Sequence, residues 1–408
     1  MLKTYRFRTY PNEGHIHILD STLNECRELY NAMLEQRIYA YEHGKRVNYY
    51  SQQNEIPGIK KMFPEFSDVH SQVLQDVASR LDKAYDNFFR RVEEIKQGKK
   101  IKAGFPRFKS KYGYNSITYT QSGFKVMDNG HVLLSKIGEI RTFMHRSIMG
   151  EIKTITIKRD RVGDWFVTIT AETVLEKRRE MDIAVEEKEA IPVNPIGVDL
   201  GLKALITTSE GEQIEPPQFL RKSEKKLKRA KRQFSKKKKG SGKRKKARIK
   251  VARVERVIAR QRDDSAHKIS TNLVASHDLI VYEDLNIEGM VQNHHLAKSI
   301  SDASWGKIIQ YTTYKAESAG SIVMLVNPAY TSQECSQCGN VKHDLELSDR
   351  IYHCDICGLV IDRDLNAALN IKRKGLREVG RGTPEFTPVE IEPILERASS
   401  IGETGSPR

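Results

Sequence analysis

Apolar residues recur with two different periods along the chain, and the change of period divides it into segments. Residues 3–10 alternate between two faces, as a strand does. Apolar positions at three- and four-residue steps then predict two helices, one over 19–41 that ends at Gly44 and one over 67–97. Period two returns over 116–172, with a hairpin signal. We therefore predict a β-barrel that begins with residues 3–10 and receives the helical pair as an insertion.

The second half of the chain alternates between buried strands and helices. A strand begins at residue 195 and carries Asp199 in an apolar run, and another over 277–286 ends in Glu283 and Asp284. Strand alternation places Asp284 opposite Glu283, so we interpret it as an ordinary surface carboxylate. The other predictions are a loop at 49–53, a linker over 177–194, a helix over 307–319, a strand over 321–327, a helix over 364–374 and a disordered tail from 375.

Charge is concentrated in one segment. The chain has 408 residues, enough for two or three domains, and a net charge of +16. Residues 221–262 hold 22 lysines and arginines against two acids, so the rest of the chain sums to −4. We interpret this segment as two helices around residues 240–242 that meet nucleic acid, the alternative being a solvated helical face. Arg107 and Lys109 lie in a loop suited to gripping phosphates.

Four of the five cysteines form two C-x-x-C pairs, and a glycine follows each pair. Cys335 and Cys338 are separated from Cys354 and Cys357 by a 15-residue spacer. This spacing predicts one structural Zn²⁺ held by four thiolates; iron–sulfur ligation, two disulfides or buried thiols are the alternatives. Cys26 lies at a core position of the first helix and is interpreted as packing.

Three acids indicate a second metal site. Asp199 and Glu283 lie on buried strands and Asp364 begins a helix, which is how an RNase H-like sheet gathers carboxylates at one edge. Three carboxylates can hold two Mg²⁺ ions for phosphodiester hydrolysis. The alternative is that each acid is an ordinary strand-end or capping carboxylate, and Asp362 and Asp364 could both simply cap the helix.

Several motifs together resemble the TnpB family of transposon-encoded, RNA-guided DNA endonucleases. They are Ile196-Gly-Val-Asp199-Leu-Gly201, Tyr282-Glu283-Asp-Leu, Ser299-Ile-Ser-Asp302-Ala-Ser-Trp305-Gly306, Tyr330-Thr-Ser-Gln333-Glu-Cys335-Ser-Gln-Cys338-Gly and Asp362-Arg-Asp364-Leu-Asn366-Ala-Ala. Residues 5–11 and 104–109 match more loosely. The resemblance extends to about residue 374, and Asp199, Glu283 and Asp364 match the family's catalytic positions.

The resemblance implies a multidomain α/β architecture. Its parts would be a wedge β-barrel (1–12 and 112–182), a helical recognition domain (13–111), a RuvC-type, RNase H-like nuclease domain (183–330 and 359–374), a zinc-ribbon nucleic-acid-loading segment (331–358) and a disordered tail (375–408). Tyr49, in the loop before the second helix, together with Gln75 and Gln121, would lie where the family reads DNA. Each could equally be an ordinary surface polar group.

The expected partners are a transposon-derived guide RNA and double-stranded DNA beside a short flanking motif, with one protein monomer per guide. Within the basic segment, Lys236, Lys237 and Arg244 are expected to line the channel for the heteroduplex. The segment around residue 1 lacks a signal-peptide pattern and no apolar run reaches transmembrane length, so we expect a cytoplasmic protein without membrane contact.

Other functions remain as alternatives. A compact type V CRISPR effector would share every motif quoted. A guided DNA-binding repressor would be expected to lose one of the acids. A simple RuvC-like resolvase or transposase accessory would need neither the zinc ribbon nor the large amino-terminal half, and a zinc-ribbon RNA-binding protein would leave the buried acids unexplained.

Overall fold

The computed structural model describes residues 2–99, 101–111, 113–173, 192–346 and 348–379. The chain folds as two units, Met1–Leu175 and Glu176–Arg408, and each has its own apolar core. Most of the linker predicted at 177–194 and of the tail predicted from 375 lies outside the described residues.

One sheet organises the first unit. Its strands are β1 (Leu2–Tyr10), β2 (Ser116–Tyr119), β3 (Phe124–Val126), β4 (Val132–Leu134), β5 (Gly138–Phe143), β6 (Glu151–Arg159) and β7 (Trp165–Glu172). They lie in the order β2-β6-β7-β1-β5-β4-β3, and neighbouring strands pair antiparallel. Among the described residues β2 and β3 are edge strands, so the predicted barrel is not confirmed. The predicted pairing of β6 with β7 is confirmed.

Three helices lie between β1 and β2 in the chain, where the sequence predicts a helical pair. They are α1 (Glu13–Glu42), α2 (Tyr49–Met62) and α3 (Ser71–Lys96), with a 3₁₀ turn over Pro64–Asp68. The apolar positions that predicted α1 and α3 supply the core, and Cys26 is fully buried among them.

The predicted loop at 49–53 is wrong, because α2 begins at Tyr49. Asn48 accepts the Ser51 N–H at 3.0 Å, and the Ser51 hydroxyl accepts the Asn48 N–H at 3.0 Å. This reciprocal pair is a capping box, which satisfies two N–H groups that a helix end would otherwise leave without partners.

A mixed sheet organises the second unit. Its strands are β8 (Pro195–Asp199), β9 (Ile206–Thr208), β10 (Gln213–Ile214), β11 (Leu279–Glu283) and β12 (Ile322–Val326), in the order β10-β9-β8-β11-β12. β8, β11 and β12 are parallel, and β9 and β10 continue the sheet antiparallel. A separate hairpin pairs β13 (Ile351–His353) with β14 (Val360–Asp362).

Helices cover both faces of this sheet. The helices of this unit are α4 (Phe219–Ser235), α5 (Gly242–Ser276), α6 (Ile287–Gln292), α7 (Ala297–Ala303), α8 (Trp305–Ala319) and α9 (Arg363–Val379). On β11, Ile280 and Tyr282 share a core with α5 and α8, whereas Leu279 and Val281 share another with α9. Because side chains alternate along a strand, Glu283 belongs to the α9 face.

Helix α9 does not end at Lys374 as predicted but continues through Gly375 to Val379. Gly375 is buried, and a Cβ added there would lie 2.8 Å from Val281 Cγ1. The glycine therefore allows the helix to approach β11 closely and does not mark the helix end.

Candidate active site and metal centre

Two of the three predicted acids lie at one edge of the mixed sheet. Asp199 ends β8 and Glu283 ends β11, and these parallel strands are paired up to Val198 and Tyr282. The same ends of parallel neighbours meet at one edge. Asp199 shares its face of β8 with Gly197, whose added Cβ would collide with the α9 backbone. Both acids are therefore on the side of the sheet that α9 covers.

The third acid, Asp364, lies in the first turn of α9. Asp362, not Asp364, caps this helix, because its Oδ1 accepts the N–H groups of Asp364 at 3.0 Å and Leu365 at 3.1 Å. The two acids of this motif therefore differ in role, because Asp362 caps the helix and the Asp364 carboxylate does not. Asp284 is exposed, as its position opposite Glu283 predicts.

The electrostatics of Asp199 link the three acids. Burial, and to a smaller extent the negative charges of Glu283 and Asp364, raise the pKa of Asp199 to about 8. The Leu200 N–H and the Arg363 charge oppose it only in part. The three carboxylates therefore interact electrostatically, and a divalent cation bound among them would favour their ionised forms.

Glu283 is buried, with 8% of its surface exposed. Burial raises the pKa of Glu283, and the Thr331 hydroxyl, which donates to Oε1, lowers it together with the Lys374 charge. Thr331 was not singled out from the sequence. Its only signal was its place in the motif that precedes Cys335.

The four cysteines come together as predicted. Within the described part of the chain, they are the one group of metal-binding side chains whose ligand atoms all lie within 4.8 Å of one another. The Cys335 and Cys357 Sγ atoms are 3.6 Å apart, and those of Cys338 and Cys354 are 3.5 Å apart. Four thiols at these distances fit one tetrahedral Zn²⁺, and the structure pairs none of them as a disulfide. The three carboxylates do not meet the same limit, so they are more widely spaced.

The two C-x-x-C turns have matching backbone geometry. Gly339 donates to Cys335 O and Gly358 to Cys354 O, both at 3.0 Å. Each glycine has a positive φ, 79° and 72°, which other residues adopt only with strain. This explains the glycine after each pair.

Helix α9 binds the first of these turns through side-chain hydrogen bonds. The fully buried Asn366 accepts the Ser336 N–H at 2.9 Å and donates to Glu334 O at 2.7 Å, so its amide spans both sides of Cys335. Arg373 pairs with the Glu334 carboxylate at 2.7 Å. The metal centre and Asp364 thus belong to one packed assembly.

The basic segment forms a helical hairpin, α4 and α5, around residues 240–242 as predicted. Lys236 and Lys237 are exposed at its turn. Arg244 is engaged within the hairpin, with its guanidinium 4.1 Å from the Phe234 ring centroid and NH1 donating to Lys237 O at 2.9 Å. Arg244 therefore braces the turn.

A buried ion pair that the sequence did not reveal anchors this hairpin. Arg262 and Asp302 are each 7% exposed, and their NH2 and Oδ1 atoms lie 2.9 Å apart. Both Asp302 oxygens also accept the Leu220 N–H at 3.0 Å. Asp302 thus caps α4 from a distant helix, and Gln218, at the N-cap, makes no side-chain cap bond.

The residues predicted to read DNA lie in the first unit. Tyr49 begins α2 and packs partly against the core, which corrects its predicted loop position. Gln75 is half-buried on α3. Gln72, three residues earlier, accepts the Gln121 N–H at 2.8 Å, so Gln121 lies beside the start of α3 with its side chain exposed.

The predicted phosphate-gripping loop has one exposed and one engaged cation. Arg107 is exposed next to the buried Pro106. Lys109 exchanges backbone hydrogen bonds with the Asn31 side chain at 2.7 and 3.0 Å, and its Nζ lies 5.1 Å from the Tyr30 ring centroid. Lys109 therefore fastens the loop to α1.

Comparison with known proteins identifies the family. A family model described as "Probable transposase" matches residues 175–294, and one described as "Cas12f1-like, TNB domain" matches residues 305–371. A protein of Streptomyces pristinaespiralis named "Putative RNA-guided DNA endonuclease" is 35% identical over 382 residues, which are 92% of this chain and 89% of the relative. The chain belongs to the TnpB family.

Other TnpB relatives extend the match. The Escherichia coli K12 protein InsQ, also named as an RNA-guided DNA endonuclease, is 29% identical over 416 residues, 96% of this chain and 97% of the relative. The TnpB-like protein L79 of Acanthamoeba polyphaga mimivirus is 33% identical over 128 residues, 30% of this chain and 24% of the relative.

Two further comparisons concern structure. A "Helix-turn-helix domain" model matches residues 1–46, where this TnpB chain has one strand and one 30-residue helix. The solved structure of the mini-RNA-guided endonuclease CRISPR-Cas phi3 aligns over 95% of this chain and 94% of that one, with a TM-score of 0.45 and 11% identity. In the part of the chain that the structure describes, no helix is long and apolar enough to cross a membrane.

Proposed function

We propose that this chain is an RNA-guided DNA endonuclease that hydrolyses phosphodiester bonds at Asp199, Glu283 and Asp364. The observation that carries the proposal is the placement of Asp199 and Glu283 at one sheet edge, on the side that the helix carrying Asp364 covers. There burial first, and then the charges of Glu283 and Asp364, raise the pKa of Asp199 to about 8. We infer guidance by RNA, and DNA as the target, from the names of the TnpB relatives. The division 183–330 and 359–374 for the RuvC-type nuclease is part of this proposal.

The three carboxylates would hold two Mg²⁺ ions. Oxygen donors are the ligands that Mg²⁺ prefers, and a divalent cation bound among the carboxylates would favour their ionised forms. Bound there, the ions would activate water and stabilise the leaving oxygen of the phosphodiester. Thr331 keeps Glu283 oriented through its hydroxyl, and α9 keeps Asp364 against the sheet.

The four cysteines would hold a structural Zn²⁺, and the basic hairpin would contact the guide RNA. Lys236 and Lys237 are exposed and can approach phosphates, as can Arg107. A single protein monomer per guide RNA, reading a short DNA motif near Tyr49, Gln75 and Gln121, completes the proposal.

Substitution of Asp199 tests the nuclease site. Asp199→Ala should lower target cleavage by more than about 100-fold, because it removes one of the three ligands of the two proposed Mg²⁺ ions. Asp284→Ala removes an exposed carboxylate next to Glu283 and should leave cleavage within about twofold of the wild-type rate. Undiminished cleavage by Asp199→Ala would refute the three-carboxylate site.

Guidance has a separate test. The protein purified from cells that carry its native locus should retain one discrete RNA, which sequencing identifies. Recovery of only heterogeneous fragments would reject guidance while leaving the nuclease site standing. A repressor is disfavoured by the presence of all three acids.

A further inference from the structure

A short segment, residues 331–336, contacts two of the three elements that carry the candidate carboxylates, β11 and α9. At its start, the buried Thr331 hydroxyl donates to Glu283 Oε1 across 48 residues of sequence. The same hydroxyl lies 2.9 Å from Pro328 O. It has one hydrogen, and an ionised carboxylate is a stronger acceptor than a neutral carbonyl, so the bond to Glu283 prevails.

Helix α9 grips the same segment at three points. Asn370 is fully buried, and its Nδ2 donates to Thr331 O at 2.9 Å and to Glu334 O at 2.5 Å. One turn earlier Asn366 spans Cys335, and one turn later Arg373 holds the Glu334 carboxylate and Asn370 Oδ1, both at 2.7 Å. The spacing 366, 370, 373 puts all three on one face of the helix that carries Asp364.

Along the chain, Glu283 and Asp364 are separated by the whole zinc-binding stretch. The segment 331–336 supplies a shorter, hydrogen-bonded route: the Thr331 hydroxyl binds Glu283 on the strand, and Asn370 of α9, the helix that carries Asp364, binds the Thr331 carbonyl. Cys335 lies within this segment. Whatever orders the Cys335 turn therefore orders the contact between sheet and helix.

We propose that Thr331 and Asn370 are positioning residues that fix Glu283 and Asp364 relative to each other, and that through them the folded four-cysteine centre sets the divalent-cation affinity of the carboxylate site. This inference rests on the proposed function for the role of the carboxylates. Groups that orient metal ligands typically change metal affinity or activity by about 10- to 100-fold when removed.

Cation binding by the full chain tests the proposal without any cleavage. Mn²⁺ alone is titrated into the zinc-loaded protein and followed by electron paramagnetic resonance. Thr331→Val, which removes only the hydroxyl, should weaken Mn²⁺ binding at the carboxylate site by about tenfold or more while zinc content stays at the wild-type level. Thr331→Ser restores a hydroxyl and should restore the affinity.

Thr312 offers a matched control. It is also fully buried, and its hydroxyl lies 2.9 Å from Tyr282 Oη, on the residue before Glu283, without touching a carboxylate. Thr312→Val should therefore leave Mn²⁺ affinity unchanged. Equal affinities for wild type and Thr331→Val, or equal weakening by Thr331→Val and Thr312→Val, would overturn the proposal.

Asn370→Leu separates coupling from a local effect at Glu283. This variant should weaken Mn²⁺ binding and also lose zinc faster to a competing chelator, because both ends of the segment are released. Faster zinc loss without weaker Mn²⁺ binding would refute the coupling. Failure of the proposed function would look different. If Thr331→Val weakens Mn²⁺ binding but the wild-type protein cuts no DNA, the nuclease function is rejected and the positioning role of Thr331 stands.

Discussion

Gly197 lies where β8 approaches α9 most closely. A Cβ there would collide with Ala368 O and lie 2.6 Å from Lys372 N, both backbone atoms of the helix. Neither atom can move without shifting α9, so the absence of a side chain permits the contact. Asp199, two residues further along the same face, therefore lies on the side of the sheet that α9 covers.

Gly197→Ala should therefore destabilise the second unit by about 1–3 kcal/mol, the usual cost of overpacking, and lower cleavage at the same time. Urea unfolding and cleavage rates measure the two effects. Gly242→Ala is the control, because no atom lies within 4 Å of a Cβ there. A Gly197→Ala protein as stable as the control would contradict the tight approach.

At the scale of residues, the sequence reveals a functional side chain when its chemistry conflicts with that of its neighbours in the chain. Asp199 and Glu283 are acids in apolar strands, which is costly without a function, and both come to one edge as predicted. Thr331 and Asn370 carry no such conflict. They are ordinary polar residues whose partners are distant in the chain, so only the fold could reveal them. Arg244 and Lys109 were predicted by charge alone, which does not tell a free cation from one already engaged.

At the scale of elements, α4 depends on a residue from α7. Asp302 accepts the Leu220 N–H near the start of α4 and pairs with Arg262 of α5. A carboxylate at a helix N-terminus also interacts favourably with the helix dipole. The Asp302 side chain therefore fixes the start of α4 relative to α5. This structural role accounts for Asp302 without any contact to nucleic acid.

Asp302→Ala should lower the free energy of unfolding of the second unit by about 3–5 kcal/mol, because it leaves the Arg262 charge buried without a partner. Combining it as Asp302→Leu with Arg262→Met should recover part of the loss, since no buried charge then remains. Urea denaturation gives both values. A loss below about 1 kcal/mol for Asp302→Ala would mean that water reaches Arg262.

Hydrophobic period located α1, α3, α8 and the strands β1, β6, β7, β8, β11 and β12, because each buries a continuous face. It failed for α2, because the polar and aromatic residues at its start look like a loop, whereas a capping box fixes them as the beginning of a helix. It also ended α9 too early. Gly375 is a common stop signal, yet here tertiary packing against Val281 overrides it. The sheet order could not be read from either period, since both depend only on local sequence.

At the scale of the molecule, the charge of residues 221–262 should govern RNA affinity. Lys236→Gln with Lys237→Gln should reduce the slope of log affinity against log salt by about 1.4, at roughly 0.7 per phosphate contact on a single strand. The measurement is filter binding of the copurified RNA over a range of salt concentrations.

The matched control is Lys153→Gln with Lys342→Gln, which also removes two charges. Both lysines are already in ion pairs, with Glu151 at 2.8 Å and Asp355 at 3.0 Å. Their loss should change the slope by less than about 0.5, as expected when no counterion is released. Equal slopes for both double variants would show that the hairpin turn does not face RNA phosphates.

The late position of α9 in the chain has a consequence for synthesis in the cell. Asp364 follows Asp199 by 165 residues, so at elongation rates of about 5–20 residues per second it emerges roughly ten to thirty seconds later. Throughout that interval the groove at Gly197 is uncovered and the third acid does not yet exist. Under the proposed function, a nascent chain therefore becomes able to cut DNA only after α9 has emerged from the ribosome.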